Sequence, residues 1–387
     1  MDIQKRILAE LSELESRAEL RQLQMVHGID FSSNDYLGLA TDPRMKEAIA
    51  EGVEYAARIA STGSRLLSGQ SESWTLVEQD FAKWVGTKAA LYFTSGYAAN
   101  IGLLSSLLRS EDVVFSDSAN HASIIDGIRL SKCKRVIFPH LDLEFLEKEL
   151  QRNASATGAR VIVVESIFSM EGDRAPLAEL AYLAEIHGAE LIVDEAHAIG
   201  VRGPNGSGCV AEAGLSSRVL ATVHTCGKAL SSAGAFVCGS ENLRNFLINQ
   251  ARTFIFNTAL PPYFASQVSA GAKLAKDADA GRARLAQLSE FLRNELRKND
   301  FFIPEHDSQI IPILLGRNDI AVQFADYLRA RGFGVRAIRP PTVPEGKARL
   351  RISLTAKHSE DILAEFILAL VQARNEYSTS RAASISQ

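Results

Sequence analysis

Sulfur is scarce: the chain of 387 residues has four cysteines, and Cys133, Cys209, Cys226 and Cys238 form no C-x-x-C pair and no zinc spacing. That excludes zinc ribbons and thioredoxin-like redox motifs, predicts no metal site, and suits small apolar core residues of a reducing compartment. No apolar run approaches the roughly 18 residues of a spanning helix, and mean hydropathy is −0.01, so a helical membrane protein is excluded. Neither sign of charge dominates. With 42 basic against 46 acidic residues and a net charge of −4, the chain lacks the electrostatic footprint of a nucleic-acid binder. The opening MDIQKRILAELSELESRAEL mixes acids and bases among its leucines and lacks the plan of a signal peptide, which predicts a cytoplasmic protein. There is no repeat of fixed period and no low-complexity linker.

What is present is ordinary globular composition, 46% hydrophobic and 23% charged, in a chain long enough for two or three units at about 150 residues each. The opening predicts an amphipathic helix with Ile3, Ile7, Leu8, Leu11 and Leu14 on one face, packing on the rest of the protein or on a second subunit. FSSNDYLGLA reads as a polar turn leading into a helix after Asp42-Pro43. From about residue 88 to 240, the β-branched runs AALYF, DVVFSD, RVIVVES, ELIVDEAH and RVLATVHT alternate with helical stretches. Continuous apolar strands alternating with helices predict βαβ units and a mostly parallel sheet covered on both faces. Beyond FIFNTALPP the pattern changes to a long charged helix over Ala272 to Asn299, a strand in FIPEHDSQIIPILLG and a helix around Ile320 to Arg331. A strand near Val335, another at RLRISL and a closing helix from Ser359 to Asn375 follow, with a Ser-rich tail expected to fray. The expected division is 1–45 as an N-terminal helix and substrate-side segment, 46–270 as a large α/β domain, and 271–387 as a smaller α+β domain.

Ligands of an open parallel sheet bind outside the carboxyl ends of its strands. AALYF exits into Thr94-Ser95-Gly96-Tyr97, a hydroxyl cap, a glycine and a helix start whose free N–H groups suit a phosphate. The strand in ELIVDEAHAIG ends at Asp194, with His197 three residues on. A buried acid there costs several kcal/mol without a cationic or hydrogen-bonding partner, and the protonated ring nitrogen of a pyridine cofactor is one such partner. DEAH also occurs in helicase-type ATPases, but those need a G-x-x-x-x-G-K-[ST] loop. Gly227-Lys228 and Gly346-Lys347 are each followed by alanine and lack the first glycine. RVLATVHT exits into Thr225-Cys226-Gly227-Lys228, placing a lysine at the same crevice. Most lysines are solvated surface charges; beside an acid, a phosphate-type turn and two histidines, a Schiff-base lysine is the better reading. His121, just past DVVFSD, could lay its imidazole over a flat ring.

In these motifs the sequence resembles the α-oxoamine synthases, fold-type I pyridoxal-phosphate enzymes that join an amino acid to an acyl thioester with loss of carbon dioxide. The resemblance runs from about Arg17 to Ile367, through FSSNDYLGLA, STGSRLLSG, TSGYAAN, DSANHASIIDG, ESIFSMEGDRAPL, VDEAHAIGVRGPNGSG, HTCGKAL, FIFNTALPP and IRPPTVPEGKARLRISLTAKH. It implies an aspartate-aminotransferase-like large domain and a smaller C-terminal one. It also implies that Lys228 carries pyridoxal 5′-phosphate covalently and that Asp194 pairs with the pyridinium. By the same resemblance, His197 and Ser169 sit near the phenolic oxygen, and His121 stacks on the ring and borders the substrate. Ser95, Gly96, Tyr97 and Thr225 would bind the phosphate. Thr258 lies in a segment that resembles one reaching a neighbouring subunit's cofactor, which implies a homodimer.

On the substrate side, Arg351 would grip the amino-acid carboxylate with a two-pronged guanidinium, assisted by Asn34, while Arg21, Thr342 and Arg339 would line the acyl-thioester side. The branch that fits best joins L-alanine to a pimeloyl thioester, on coenzyme A or a carrier protein, for biotin synthesis. Its rivals use glycine with acetyl- or succinyl-CoA, or serine with a long acyl thioester. Aminotransfer would leave STGSRLLSG and IRPPTVP without a purpose, and a non-catalytic partner subunit would lack Lys228. Trp74, Cys226, Ser231, Ser232 and Asn257 depart from the pattern, standing where histidine, phenylalanine, glycines and a small hydroxyl residue are expected. Each alters the wall of the cavity and none removes a catalytic group; Trp74 could be a core residue or a substrate contact.

Overall fold

The computed structural model describes residues 2–383, in two compact units. The larger comprises residues 35–169 and 174–283 and is built on a seven-stranded sheet. Its strands, in spatial order, are Ala89–Phe93, Ala235–Gly239, Ala221–Thr225, Glu190–Asp194, Arg160–Glu165, Val113–Asp117 and Lys134–Phe138. All run parallel except Ala235–Gly239, which is antiparallel to both neighbours. The five predicted strands are all present, nearly every residue buried, because a strand covered on both faces by helices needs apolar side chains on both. On one face, Leu91, Val114, Val163, Ile192 and Val223 pack against Leu103, Leu104 and Ile124 of the helices Gly96–Leu107 and Ala122–Ser131. Six strands therefore send their carboxyl ends, Phe93, Thr225, Asp194, Glu165, Asp117 and Phe138, to one edge of the sheet.

Two strands were not expected. Lys134–Phe138 is an edge strand with Lys134 and Arg135 exposed, a charged edge that discourages further pairing and conceals the apolar pattern. Ala235–Gly239 returns directly from the preceding strand through a turn at Gly234, whose φ is +80°. A Cβ at Gly234 would stand 2.0 Å from the Tyr92 hydroxyl, so only glycine fits. The single helix expected over Ala272 to Asn299 is two, Tyr263–Lys276 and Asp279–Lys298. Arg282 makes the break affordable: its guanidinium donates to the terminal carbonyls of Ala275 and, at 3.0 Å, Lys276, while pairing with Asp279.

The smaller unit comprises residues up to 34, 170–173 and those from 284 onward. It holds a three-stranded antiparallel sheet ordered Ala337–Ile338, Ala348–Ser353, Ile310–Gly316, together with the helix Asn318–Ala330. The expected strand near Val335 is replaced by two short ones flanking it, Ala337–Ile338 and Phe333–Gly334, the latter pairing with Ile29–Asp30. Phe31 seals the core, stacked on Phe366 at 4.2 Å and on His358 at 4.5 Å. The closing helix, Glu360–Ala383, runs past Asn375 into the tail expected to fray, whose last residues, 384–387, lie outside the described ones. The opening helix Ile3–Ser16 forms as predicted but fully buries none of its residues: Ile3, Ile7, Leu8 and Leu11 are exposed and Leu14 is half-buried. Among the described residues, no helix is long and apolar enough to cross a membrane.

Candidate active site

Lys228, His197 and Asp194 meet at the carboxyl edge of the large sheet because their strands are neighbours there. Asp194 ends one strand and Thr225 the next, so the loops that follow carry His197 and Lys228 to the same edge. Lys228 Nζ lies 2.7 Å from His197 Nε2, and His197 Nδ1 lies 2.6 Å from the hydroxyl of Tyr36. Both His197 and Tyr36 are buried.

Asp194 is buried and held by N–H donors. Its Oδ2 accepts from Asn100 Nδ2 at 2.7 Å and its Oδ1 from the backbone of Ala196 at 2.9 Å. Asn100 also donates to Ser123 Oγ at 2.9 Å, and that hydroxyl lies 2.8 Å from His121 Nδ1. A chain of side chains thus links the acid to His121, which caps the helix Ala122–Ser131 by accepting from the Ser123 N–H. Burial lowers the His121 pKa, Lys228 lowers it further, and the Asp194 charge acts against both.

The turn after Phe93 forms the capped helix start that the sequence predicts. Ser95 caps the helix Gly96–Leu107, its hydroxyl accepting from Ala98 N–H at 3.0 Å, and the first N–H groups of any helix lack intrahelical partners. A Cβ on Gly96 would lie 3.5 Å from Thr225 Oγ1, so the turn and Thr225 are adjacent. Tyr97, exposed, donates its hydroxyl to Asp126 and meets His121 edge-on. Ser169 is buried, with its N–H 3.2 Å from Glu165 Oε2. Thr258 is exposed and, among the described residues, hydrogen-bonds none of this network.

The substrate-side residues lie in the smaller unit. Arg351, buried in the strand Ala348–Ser353, donates to Ser353 Oγ at 2.7 Å, and that hydroxyl lies 3.5 Å from Asn34 Oδ1. Arg21 donates to Pro340 O at 3.0 Å and Thr342 Oγ1 at 3.3 Å, and Arg339 donates to Ala18 O. Burial and the neighbouring Arg21 cation both push the Arg339 pKa down. Arg21 and Arg339, with Arg329 and Arg336, line a cavity of about 320 Å³ whose one acid is Asp326.

Four of the five departures from the expected pattern have local accounts; nothing in the structure explains Ser232. Trp74 is fully buried, stacked on Tyr92 at 4.3 Å, and is a core residue. Asn257 donates to Thr94 Oγ1 at 2.6 Å and so braces the turn that precedes the helix Gly96–Leu107. Cys226 is buried within the lysine loop, its N–H donating to Gly234 O and its carbonyl accepting from Ser232 N. Ser231 occupies left-handed backbone, φ +47°, where glycine would be unstrained, and its hydroxyl donates to Asp35 Oδ1 at 2.7 Å. Ser231→Ala keeps the strain and loses the bond, so it should destabilise by about 1 kcal/mol. Ser231→Gly loses both and should come out near neutral, a contrast that thermal melts of the two variants would read.

Sequence reasoning passed over three residues of the site: Tyr36, Asn100 and Glu165. The first two stand inside motifs already singled out, FSSNDYLGLA and TSGYAAN. Glu165 ends the strand paired in register with Asp194. It is buried, and among the described residues its Oε1 has no hydrogen-bond partner. Burial, then the Asp194 charge, pushes its pKa up to about 8. Between the ordinary value of 4.5 and about 8 the folded chain keeps a proton here that the unfolded chain has lost, so stability falls as pH rises through that window and levels off above it. Glu165→Gln should flatten the dependence of melting temperature on pH between 5 and 8; a slope equal to that of the wild type would contradict this.

A buried acid at a strand end, a lysine and histidine in contact at the next, and a helix N-terminus beside a threonine form a donor set that fits pyridoxal phosphate: a carboxylate for a protonated ring nitrogen, an amine for its aldehyde and N–H groups for its phosphate.

Comparison with known proteins agrees. The family described as Aminotransferase class I and II matches residues 26–370. An 8-amino-7-oxononanoate synthase of Burkholderia vietnamiensis is 45% identical over 351 residues, covering 89% of this chain and 86% of that one. Among solved structures, a serine palmitoyltransferase of Sphingomonas wittichii superposes with a TM-score of 0.90 at 28% identity, covering 98% of each chain. An 8-amino-7-oxononanoate synthase of Francisella tularensis superposes with a TM-score of 0.77 at 31% identity, covering 90% of this chain and 99% of that one.

Proposed function

The chain belongs to the family of class I and II aminotransferases, and from that premise we propose that it condenses L-alanine with a pimeloyl thioester to give 8-amino-7-oxononanoate, carbon dioxide and a free thiol, a step of biotin biosynthesis. The enzyme is a pyridoxal-phosphate-dependent acyltransferase. The observation that carries this reading is the meeting of Lys228, His197 and Asp194 at adjacent strand ends in a chain so close in sequence to synthases of that name. The likeness to serine palmitoyltransferase favours serine and a long acyl thioester as second reading; it is closer in backbone but lower in sequence identity, and backbone likeness alone speaks for fold rather than substrate.

Bound pyridoxal phosphate supplies an electron sink for charge developing at Cα of the amino acid. Lys228 would hold the cofactor covalently, and its amine would serve as the positioned general base for the Cα proton. Asp194, fixed by Asn100 and Ala196, keeps the ring nitrogen protonated. His197 and Ser169 would hold the cofactor's phenolic oxygen, and His121, braced by Ser123, would flank its ring. Ser95, Gly96, Tyr97 and Thr225 hold the phosphate. Arg351 and Asn34 bind the amino-acid carboxylate, and Arg21, Arg339 and Thr342 line the path of the acyl chain. The same Lys228 amine, having taken up that proton, would be placed to return one to Cα.

The working enzyme is a homodimer in the cytoplasm. Tyr55, Ile59, Leu66, Leu67 and Phe256 are exposed large apolar side chains in and around the segments that carry STGSRLLSG and Thr258, a surface suited to a second copy. Product analysis tests the reaction: alanine and pimeloyl-CoA should yield a compound of the mass of 8-amino-7-oxononanoate with equimolar carbon dioxide. Turnover of serine with palmitoyl-CoA and none of this pair would overturn the reading.

A further inference from the structure

Tyr36 is a large aromatic side chain, fully buried, with its hydroxyl on a histidine that itself touches the site lysine. Its placement is fixed from two sides. Asp35 folds the turn around it by accepting from the N–H groups of Leu39 at 2.8 Å and Ala40 at 3.0 Å. The same carboxylate accepts from Ser231 Oγ at 2.7 Å, three residues beyond Lys228, so the turn and the lysine loop are tied together independently of His197.

The proton count along this chain has one solution when the lysine is charged. An ammonium has three donors and no acceptor, so at 2.7 Å from Lys228 Nζ the Nε2 atom of His197 must accept. In a neutral imidazole the proton then sits on Nδ1, which donates to Tyr36 Oη at 2.6 Å. The partner of one ring nitrogen sets what the other can do, as in metal-bound and catalytic histidines.

We propose that Tyr36 is a positioning residue, accepting the Nδ1 proton of His197 and thereby presenting the Nε2 lone pair to the nitrogen of Lys228. Without the hydroxyl, a buried N–H loses its acceptor, the other tautomer gains population, and Nε2 turns from acceptor into donor toward the lysine. The role rests on the proposed function only where turnover is read. The tautomer itself belongs to the cofactor-free protein.

The variant is Tyr36→Phe, which keeps the ring and its packing. Nitrogen-15 histidine spectra of the cofactor-free wild type at neutral pH should show His197 protonated at Nδ1, and the variant should shift toward Nε2. In loaded protein, kcat and the exchange of the L-alanine α-proton into heavy water should each fall about 10- to 100-fold, with KM for alanine changed less than about threefold, in the range expected for loss of general acid–base positioning. A wild-type signal from Nε2–H, or a variant with unaltered tautomer and kcat within twofold, overturns the proposal. Should loaded wild type fail to exchange the α-proton, the proposed function fails, and the nitrogen signals still decide the role of Tyr36.

Discussion

Lys228→Ala should abolish turnover, lowering kcat by at least about 10⁴-fold, because one substitution removes both the covalent anchor of the cofactor and the base that takes the Cα proton. The lysine is partly exposed, on a loop whose backbone is fixed by bonds between Cys226 N and Gly234 O and between Ser232 N and Cys226 O, so the fold should survive. Borohydride reduction followed by mass analysis should find pyridoxal phosphate fixed to Lys228 in the wild type and to nothing in the variant. His197 will lose its Nε2 partner, but Tyr36 still holds the ring through Nδ1. Substantial activity in a folded Lys228→Ala protein would remove the lysine from the chemistry.

Asp194→Asn carries the second-largest expected effect, about 10³-fold in kcat, of the order found when one preorganised electrostatic contact to a transition state is lost. The change is isosteric. Its remaining oxygen can accept from one of the two donors now satisfied by the carboxylate, Asn100 or Ala196, but a neutral amide cannot keep a ring nitrogen protonated. The variant should fold, bind pyridoxal phosphate more weakly, and exchange the α-proton of L-alanine slowly in proportion to its kcat. An independent sign accompanies this. The Asp194 charge helps hold the Glu165 pKa up, so removing it should let that pKa fall toward the ordinary range and weaken the pH dependence of stability. Normal α-proton exchange in the variant would contradict the pyridinium role.

The large sheet was legible because its central strands are buried on both faces, so apolar runs such as VVFSD and ELIVD announce themselves without alternation. Lys134–Phe138 escaped because an edge strand is free to carry charge, and Ala235–Gly239 because its place depends on a glycine turn under Tyr92. The break between Lys276 and Asp279 rests on capping by Arg282, a tertiary contact that helical periodicity cannot register. Asp194, His197 and Lys228 could be singled out because each leaves a strand at the edge where ligands bind. Tyr36 and Asn100 act through partners 161 and 94 residues away, and Glu165 through a strand neighbour, so only the folded register brings out what they do.

The most direct test is release of free thiol from pimeloyl-CoA by pyridoxal-phosphate-loaded protein, with L-alanine, glycine, L-serine or no amino acid added. The account predicts release that depends on L-alanine and is absent with glycine, with serine and without amino acid. Equal release without any amino acid, or release driven by serine or glycine in place of alanine, would contradict it.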